Sequence, residues 1–411
     1  MPVQVLVLGS YPCVRPLHGG QVRLAEVIAA YRRAGHTVQS INLYDTSAEA
    51  GQPRGPHDVE YPSTSAWRQW QGRPIPLIDD LTSGRYASQD ERAYADITRL
   101  VQGAPAIVHL EQPWLLPLVL RWKREGKIPA ARIVYGSQNI EAPLKQAILA
   151  HYGIAEAQAI AAEIALLEHE ACRQADLILA VSDSDRRALA KLTASPVVLA
   201  ANGIAPWHAD RGTLPGRLRR LSAAPFALFV GSAHPPNISG FFETLGDTLG
   251  FLPPDRKICI VGSVGPHIVG HPDFLRWEPL NASRVCMFGL VDDAVLAALK
   301  TLAHVIILPI TEGGGSNIKT AEALYSGKYV IGTPTSFRGF DDFLDMPGVH
   351  LAASPQAFRS TLQRLLQTSP LVPDPAWKDR RQRLLWEHTL APMTRAVADL
   401  LARTGCPESL A

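Results

Sequence analysis

The chain has 411 residues, and at roughly 100–200 residues per domain that length excludes one small domain and predicts two. Its 40 Lys and Arg against 38 Asp and Glu leave a net charge of +2, too balanced for a protein whose main partner is a nucleic-acid backbone or an anionic membrane. With 46% hydrophobic and 19% charged residues a large core is available and disorder is excluded. The five cysteines, Cys13, Cys172, Cys259, Cys286 and Cys406, are scattered without a C-x-x-C pair and suggest neither a disulfide framework nor a zinc knuckle. Residues 1–10 lack the basic and small-residue flanks of a signal peptide, and no apolar stretch reaches the ~18 residues of a membrane helix. A cytoplasmic protein is expected, with peripheral contact at the inner face of the membrane left open.

In chain order, the first half contains six apolar runs, VQVLVLG (3–9), TVQSINLY (37–44), AIVHLE (106–111), RIVYGSQ (132–138), DLILAVS (176–182) and VVLAANG (197–203). Their continuous rather than alternating apolar character predicts strands covered on both faces, hence a parallel sheet with crossover helices. After the first run, Gly19 and Gly20 stand before a helix predicted to reach about Arg33, where free N–H groups and close backbone approach suit an anion. Residues 47–90 read as a long irregular region, either a binding surface or a structural insertion. Asn139 and Glu141 follow the fourth run, on the carboxyl edge where open α/β sheets bind ligands; Asn139 as a helix cap is the competing reading. Residues 204–225, with no apolar period and four Arg, read as an interdomain linker.

The second half repeats the theme in FALFVGS (226–232), KICIVGS (257–263), VCMFGLV (285–291), HVIILPI (304–310), YVIGTP (329–334) and VHLAAS (349–354), so two Rossmann-like sheets are predicted. Its most specific segment is HVIILPITEGGGSNIKTAEALYSGKYVIGTP, residues 304–334. Gly313, Gly314 and Gly315 form a flexible turn, Ser316 and Asn317 are placed to cap the next helix, and Lys319 falls in its first turn. A lysine there opposes the helix dipole unless an anion binds alongside, which points to phosphate. Glu322, on a neighbouring part of the same face, is placed to accept hydrogen bonds from ribose hydroxyls.

Strand, glycine turn and KTAEALYSGKYVIGTP resemble the donor-site signature of retaining GT-B glycosyltransferases, the nucleotide-sugar-dependent group-1 or family-4-like enzymes. PLHGGQVRLAEVIAAYRRAGH, YGSQNIE, EHEACRQADLILAVSDSD, ANGI, FVGSAHPPNISGF and VCMFGLVDD agree in order, so the resemblance spans nearly the whole chain. It implies an N-terminal acceptor-binding domain over 1–205, a linker over 206–224, a nucleotide-sugar-binding domain over 225–385 and a last helix within 386–411 that crosses back to the N-terminal domain, with a donor/acceptor cleft between the domains. On the donor side it implies Glu322 at the ribose, Ser316 and Asn317 at the diphosphate, Phe288–Leu290 including Gly289 beside the base, and Gly20, Gly314 and Gly315 near the donor. Gly19 and Asn139 fall on the acceptor side. No metal and no cofactor beyond the nucleotide-sugar co-substrate are expected; the acceptor is a glycan or a lipid-linked one.

Three departures stand out. Gly314 replaces the acidic residue usual eight positions before the ribose glutamate, with Glu312 two places out of register. Ser232 and Ser239 stand where many relatives carry Arg and Lys, which leaves His234, Asn237 and Lys319 as the polar groups for the diphosphate. The H-x-H-[DE]-P run appears as HLEQP, so that His109 and Glu111 become, with Lys319, the catalytic candidates, a buried hydrogen-bonded His109–Glu111 pair being the competing reading. A sugar-nucleotide epimerase and a non-catalytic sugar-nucleotide or glycan-binding protein are the alternative readings of the same fold.

Overall fold

The computed structural model describes residues 2–207, 209, 221, 223–372 and 374–403. The chain divides into two units, Met1–Ala201 with Thr389–Ala411, and Asn202–His388. In the first, β1 (Gln4–Gly9), β2 (Thr37–Asp45), β3 (Val59–Tyr61), β4 (Ile107–Glu111), β5 (Arg132–Ser137), β6 (Leu177–Ala180) and β7 (Val197–Leu199) form a sheet in the order β3-β2-β1-β4-β5-β6-β7. Every pairing is parallel, with Val7 of β1 opposite Ser40 on one side and His109 on the other. Val5, Leu6, Val7 and Leu8 are each at most 1% exposed, so both faces of β1 are covered, as its unbroken apolar run requires.

The second unit repeats the plan with β8 (Phe226–Val230), β9 (Lys257–Val261), β10 (Val285–Gly289), β11 (Val305–Leu308), β12 (Tyr329–Gly332) and β13 (Val349–Leu351), ordered β10-β9-β8-β11-β12-β13 and again parallel. In each sheet the winding reverses once, between β1 and β4 and between β8 and β11. Doubly wound sheets bind ligands in the crevice outside the carboxyl ends of the strands at such a reversal. The fold therefore nominates one place per unit before any side chain is considered.

All twelve apolar runs form strands, and β3 is an addition. Its three residues, VEY, are too short to carry a readable pattern. The irregular region 47–90 also holds the helix Asp79–Gln89, whose Thr, Ser and Gly are weak helix formers held in place by burial of Leu81, Thr82, Ser83 and Gly84. Residues near Ile204 belong with the second unit: the Ile204 N–H donates to Leu384 O at 2.9 Å and the Trp386 N–H donates to Ile204 O at 3.1 Å. Most of the expected linker, namely 208, 210–220 and 222, lies outside the described residues. The helix Ala391–Ala402 packs on β6, β7 and the helix Gly19–Arg33, burying Met393 and Val397 completely. Among the described residues no helix is long and apolar enough to cross a membrane.

After β8 the helix Pro235–Leu245 crosses the end of β11 so closely that a Cβ on Gly240 would overlap the Pro309 carbonyl oxygen. Backbone cannot rotate away as a side chain can. Gly240→Ala is therefore expected to destabilise the second unit by about 1–3 kcal/mol, read as a lower urea midpoint. A midpoint unchanged from wild type would contradict this packing.

Candidate functional site

At the reversal of the second sheet, β11 runs into residues 309–317 and then the helix Ile318–Tyr325. Gly313 (φ 127°) and Gly315 (φ 57°) adopt positive-φ backbone that side chains other than glycine disfavour. Asn317 occupies the N-cap position, yet its side chain makes no capping bond, and the expected caps do not form. Instead Ser316 Oγ, Asn317 Nδ2 and Thr311 Oγ1 are buried with no hydrogen-bond partner. Buried polar atoms are nearly always matched, so three unmatched ones in one turn make it a candidate place for a polar group to bind. The turn is meanwhile held firmly from outside: Asn202 Nδ2 donates to Ser316 O at 2.9 Å and Arg338 Nε to Gly315 O at 2.7 Å.

Beside it, Lys319 is half-buried and its Nζ donates to Asn237 Oδ1 at 2.7 Å. Asn237, buried in the helix after β8, uses its Nδ2 on Ser232 O at 2.9 Å and Ser232 Oγ at 3.3 Å. Loss of surrounding water pushes the Lys319 ammonium down to about 8, against the opposing pull of Glu322. Glu322 bonds elsewhere: its Oε1 accepts from Lys300 Nζ at 2.6 Å. Lys300 is buried and lies 5.5 Å from the Trp207 ring centroid. The carboxylate is thereby fixed by one oxygen. His234 is exposed at the N-cap of the helix Pro235–Leu245. Gly289 (φ 62°) ends the outer strand β10, its carbonyl accepting from the Gly262 N–H at 2.7 Å, and Leu290 beyond it is 83% exposed. The structure thus brings Lys319, Asn237 and the 311–317 turn together at the reversal and sets Gly289 at the carboxyl end of the sheet's edge strand.

At the reversal of the first sheet the outcome differs. Glu111 ends β4, and its Oε1 accepts from Arg23 Nε at 2.6 Å, while its Oε2 lies 2.7 Å from His109 Nε2. The other ring nitrogen of His109 lies 2.9 Å from Tyr31 Oη, and Arg23 Nη1 donates to Ala200 O at 2.9 Å. Arg23, His109, Glu111 and Tyr31 are all buried. Burial raises the Glu111 carboxyl, but Arg23 and then His109 outweigh it and hold the group below the ordinary carboxylate range. Both ring nitrogens of His109 and both oxygens of Glu111 are engaged inside the unit, as the buried reading of HLEQP expects. Gly20 is likewise taken up by the protein, since a Cβ there would overlap the Tyr11 side chain. Gly19 is the exposed first residue of its helix.

Asn139 is half-buried and donates to Glu141 Oε1 at 3.3 Å, while its carbonyl accepts from Ser137 Oγ at 2.7 Å. It does not cap the helix Glu141–His151; Glu168 does, accepting from the N–H groups of Glu141 and Ala142 at 2.7 and 2.9 Å. Burial, then the charge of Asp80, pushes the Glu141 carboxyl up to about 7 against Asn139 and Gln112. With the folded value raised, Glu141 contributes stability below about 4.5 that is lost as pH rises through about 7. Among the described residues no three His, Cys, Asp or Glu side chains are grouped so as to hold a metal ion.

The residues missed from sequence are Arg23, Lys300 and Arg338. A signal existed for two of them. Arg23 shares a helix face with Val27 and Lys300 one with Leu296, and a cation on an apolar face requires a buried partner.

Residues 18–203 match the model of the glycosyl transferase 4-like domain. No curated protein matches the sequence. Among solved structures, sucrose-phosphate synthase from Thermosynechococcus elongatus is similar with a TM-score of 0.66 at 18% identity, over 97% of this chain and 100% of that one. HepE of Anabaena, solved in complex with UDP and glucose, is similar with a TM-score of 0.61 at 15% identity, over 98% of this chain and 100% of that one. WaaG, a glycosyltransferase involved in lipopolysaccharide biosynthesis, gives 0.59 at 17% identity, over 96% and 99%. The fold is GT-B, and the matched domain together with these neighbours supports an enzyme.

Glu111→Gln leaves Arg23 buried without its counter-charge, and breaking such a pair costs about 3–5 kcal/mol. The expected outcome is a loss of that size in denaturant unfolding of the first unit. A loss below about 1 kcal/mol would contradict the buried-pair account and return Glu111 to the candidates for substrate contact.

Proposed function

We propose that the protein transfers a sugar from a nucleoside-diphosphate sugar to a carbohydrate or lipid-linked acceptor, with retention at the anomeric carbon and without a metal. The observation that carries this reading is the pairing of Lys319 with Asn237 at the sheet reversal, beside a turn whose Thr311 Oγ1, Ser316 Oγ and Asn317 Nδ2 atoms are buried and unmatched. A diphosphate answers all of these groups together, and the N-terminus of the helix Ile318–Tyr325 adds its N–H groups and positive dipole end. The likeness of residues 304–334 to the retaining donor-site signature supports the same substrate class, and HepE is one neighbour solved with UDP.

In this reading the bond from the anomeric carbon to the β-phosphate oxygen breaks while a bond to the acceptor oxygen forms. Negative charge grows on the departing phosphate, where Lys319 and the turn are already oriented and lose little on reaction. With Glu111 held by Arg23, the acceptor's proton passes to the leaving phosphate. Glu322, fixed by Lys300 through one oxygen, offers the other to the ribose.

Lys319→Ala should weaken UDP by about 1.5–3 kcal/mol, tenfold or more, and leave uridine unchanged, because a point cation addresses phosphate. Wild-type affinity for UDP should also fall as pH rises through about 8, where Lys319 loses its proton, and stay flat in the variant. Calorimetry with UDP and uridine decides this: equal weakening of both ligands would remove Lys319 from the diphosphate.

A further inference from the structure

Lys319 has a second lysine for a neighbour, and the two sit in opposite electrostatic settings. Lys300 lies in the last turn of the helix Asp293–Leu302, where the dipole favours a cation; Lys319 lies in the first turn of the helix Ile318–Tyr325, where the dipole opposes one. Lys300 is 5% exposed, its Nζ lies 5.5 Å from the Trp207 ring centroid and donates to Glu322 Oε1 at 2.6 Å. Lys319 donates to the neutral Asn237 Oδ1 at 2.7 Å and joins no ion pair among the described residues.

One carboxylate stands between them. Glu322 follows Lys319 at the three-residue spacing where side chains of one helix meet, so the Lys319 ammonium is within its reach. Lys300, Lys319 and Glu322 line a single cavity of about 10 Å³, whose other walls are apolar side chains of β8 and β11 and Ala323. A space of that size holds about one water at most, so on this side the three charges answer one another rather than solvent. The carboxylate has gone to Lys300, which would otherwise be left as a buried, unpaired charge. From the elements packed against it Lys319 meets Asn237 of the helix Pro235–Leu245, Lys300 of the helix Asp293–Leu302 and the apolar residues of the two strands. Glu322 acts on it without pairing, against the loss of water that pushes its ammonium down to about 8.

We propose that Lys300 is a positioning residue of the donor site: by holding Glu322 it keeps that carboxylate from pairing with Lys319 and leaves the Lys319 ammonium open to a phosphate. The phosphate half of this inference rests on the transferase reading, whereas the competition of two lysines for one carboxylate does not. Two ammonium groups and one carboxylate leave one positive charge at the sheet reversal. Without Lys300 that charge is cancelled, because Glu322 turns to Lys319 one helical turn away, and an anion loses its cation although Lys319 itself is untouched.

The test follows the Lys319 ammonium directly, by NMR titration of the full chain isotope-labelled at lysine Cε, with Lys319→Arg identifying the signal. Binding of UDP, ADP and GDP is measured by calorimetry on the same preparations. Lys319 should titrate near 8 in the wild type and rise in Lys300→Met to about 9 or higher, toward the ordinary lysine value of about 10.4. Lys300→Arg keeps a cation at Glu322 and should leave Lys319 near 8; adding Glu322→Gln to Lys300→Met should return it there. Lys300→Gln keeps a donor without the charge and should fall between the Met and Arg variants, so the comparison survives a methionine variant that does not fold. Affinity for the nucleotide that binds should drop about tenfold in Lys300→Met and about twofold or less in Lys300→Arg. A wild-type Lys319 at the ordinary lysine value, a titration near 8 that persists in Lys300→Met and Lys300→Gln, or an equal rise in Lys300→Arg would each overturn the proposal. The expected titrations with no nucleotide bound by the wild type, or with affinity unchanged in Lys300→Met, uphold the competition for Glu322 and overturn the donor reading.

Discussion

Everything on the donor side hangs on one hydrogen bond, from Lys319 to Asn237, that spans the two helices following β8 and β11. Both the helix dipole and the loss of water oppose a charge at Lys319, and the Asn237 amide oxygen and the charge of Glu322 answer it in part. Its charge is thus partly answered within the unit. Fixing it in that state requires the close approach of Gly240 to Pro309, the positive-φ glycines of the turn, and the braces from Asn202 and Arg338.

The two sheets share a winding plan but close their reversals differently. In the first, Arg23 and Glu111 pair inside the unit, and His109 and Tyr31 extend the network. In the second, Lys319 meets only an amide oxygen, and the neighbouring side-chain donors stay unmatched. The same topology thus yields a buried ion pair in one unit and a partly answered lysine beside unmatched side-chain atoms in the other.

The apolar runs made the strands legible because a parallel strand buried on both faces must be apolar throughout. VEY escaped notice because an edge strand of three residues needs no such run. The 304–334 segment could be read as an anion site since strand, glycine turn and lysine lie close together in sequence. The partner of Glu111 is not legible from sequence because Arg23 lies 88 residues away, and local spacing cannot show which group a carboxylate meets. The bond between Lys319 and Asn237 bridges 82 residues; each side chain was named from sequence, but only the fold joins them.

The most direct measurement is the proton balance of UDP binding at pH 8, from calorimetry in two buffers of different ionisation enthalpy. A lysine at about 8 is half protonated when free, and a bound diphosphate holds it fully protonated, so about half a proton should be taken up per UDP, and none in Lys319→Ala. UDP binding with no proton uptake by the wild-type protein would contradict the account, because the anion would then be meeting some group other than the desolvated lysine.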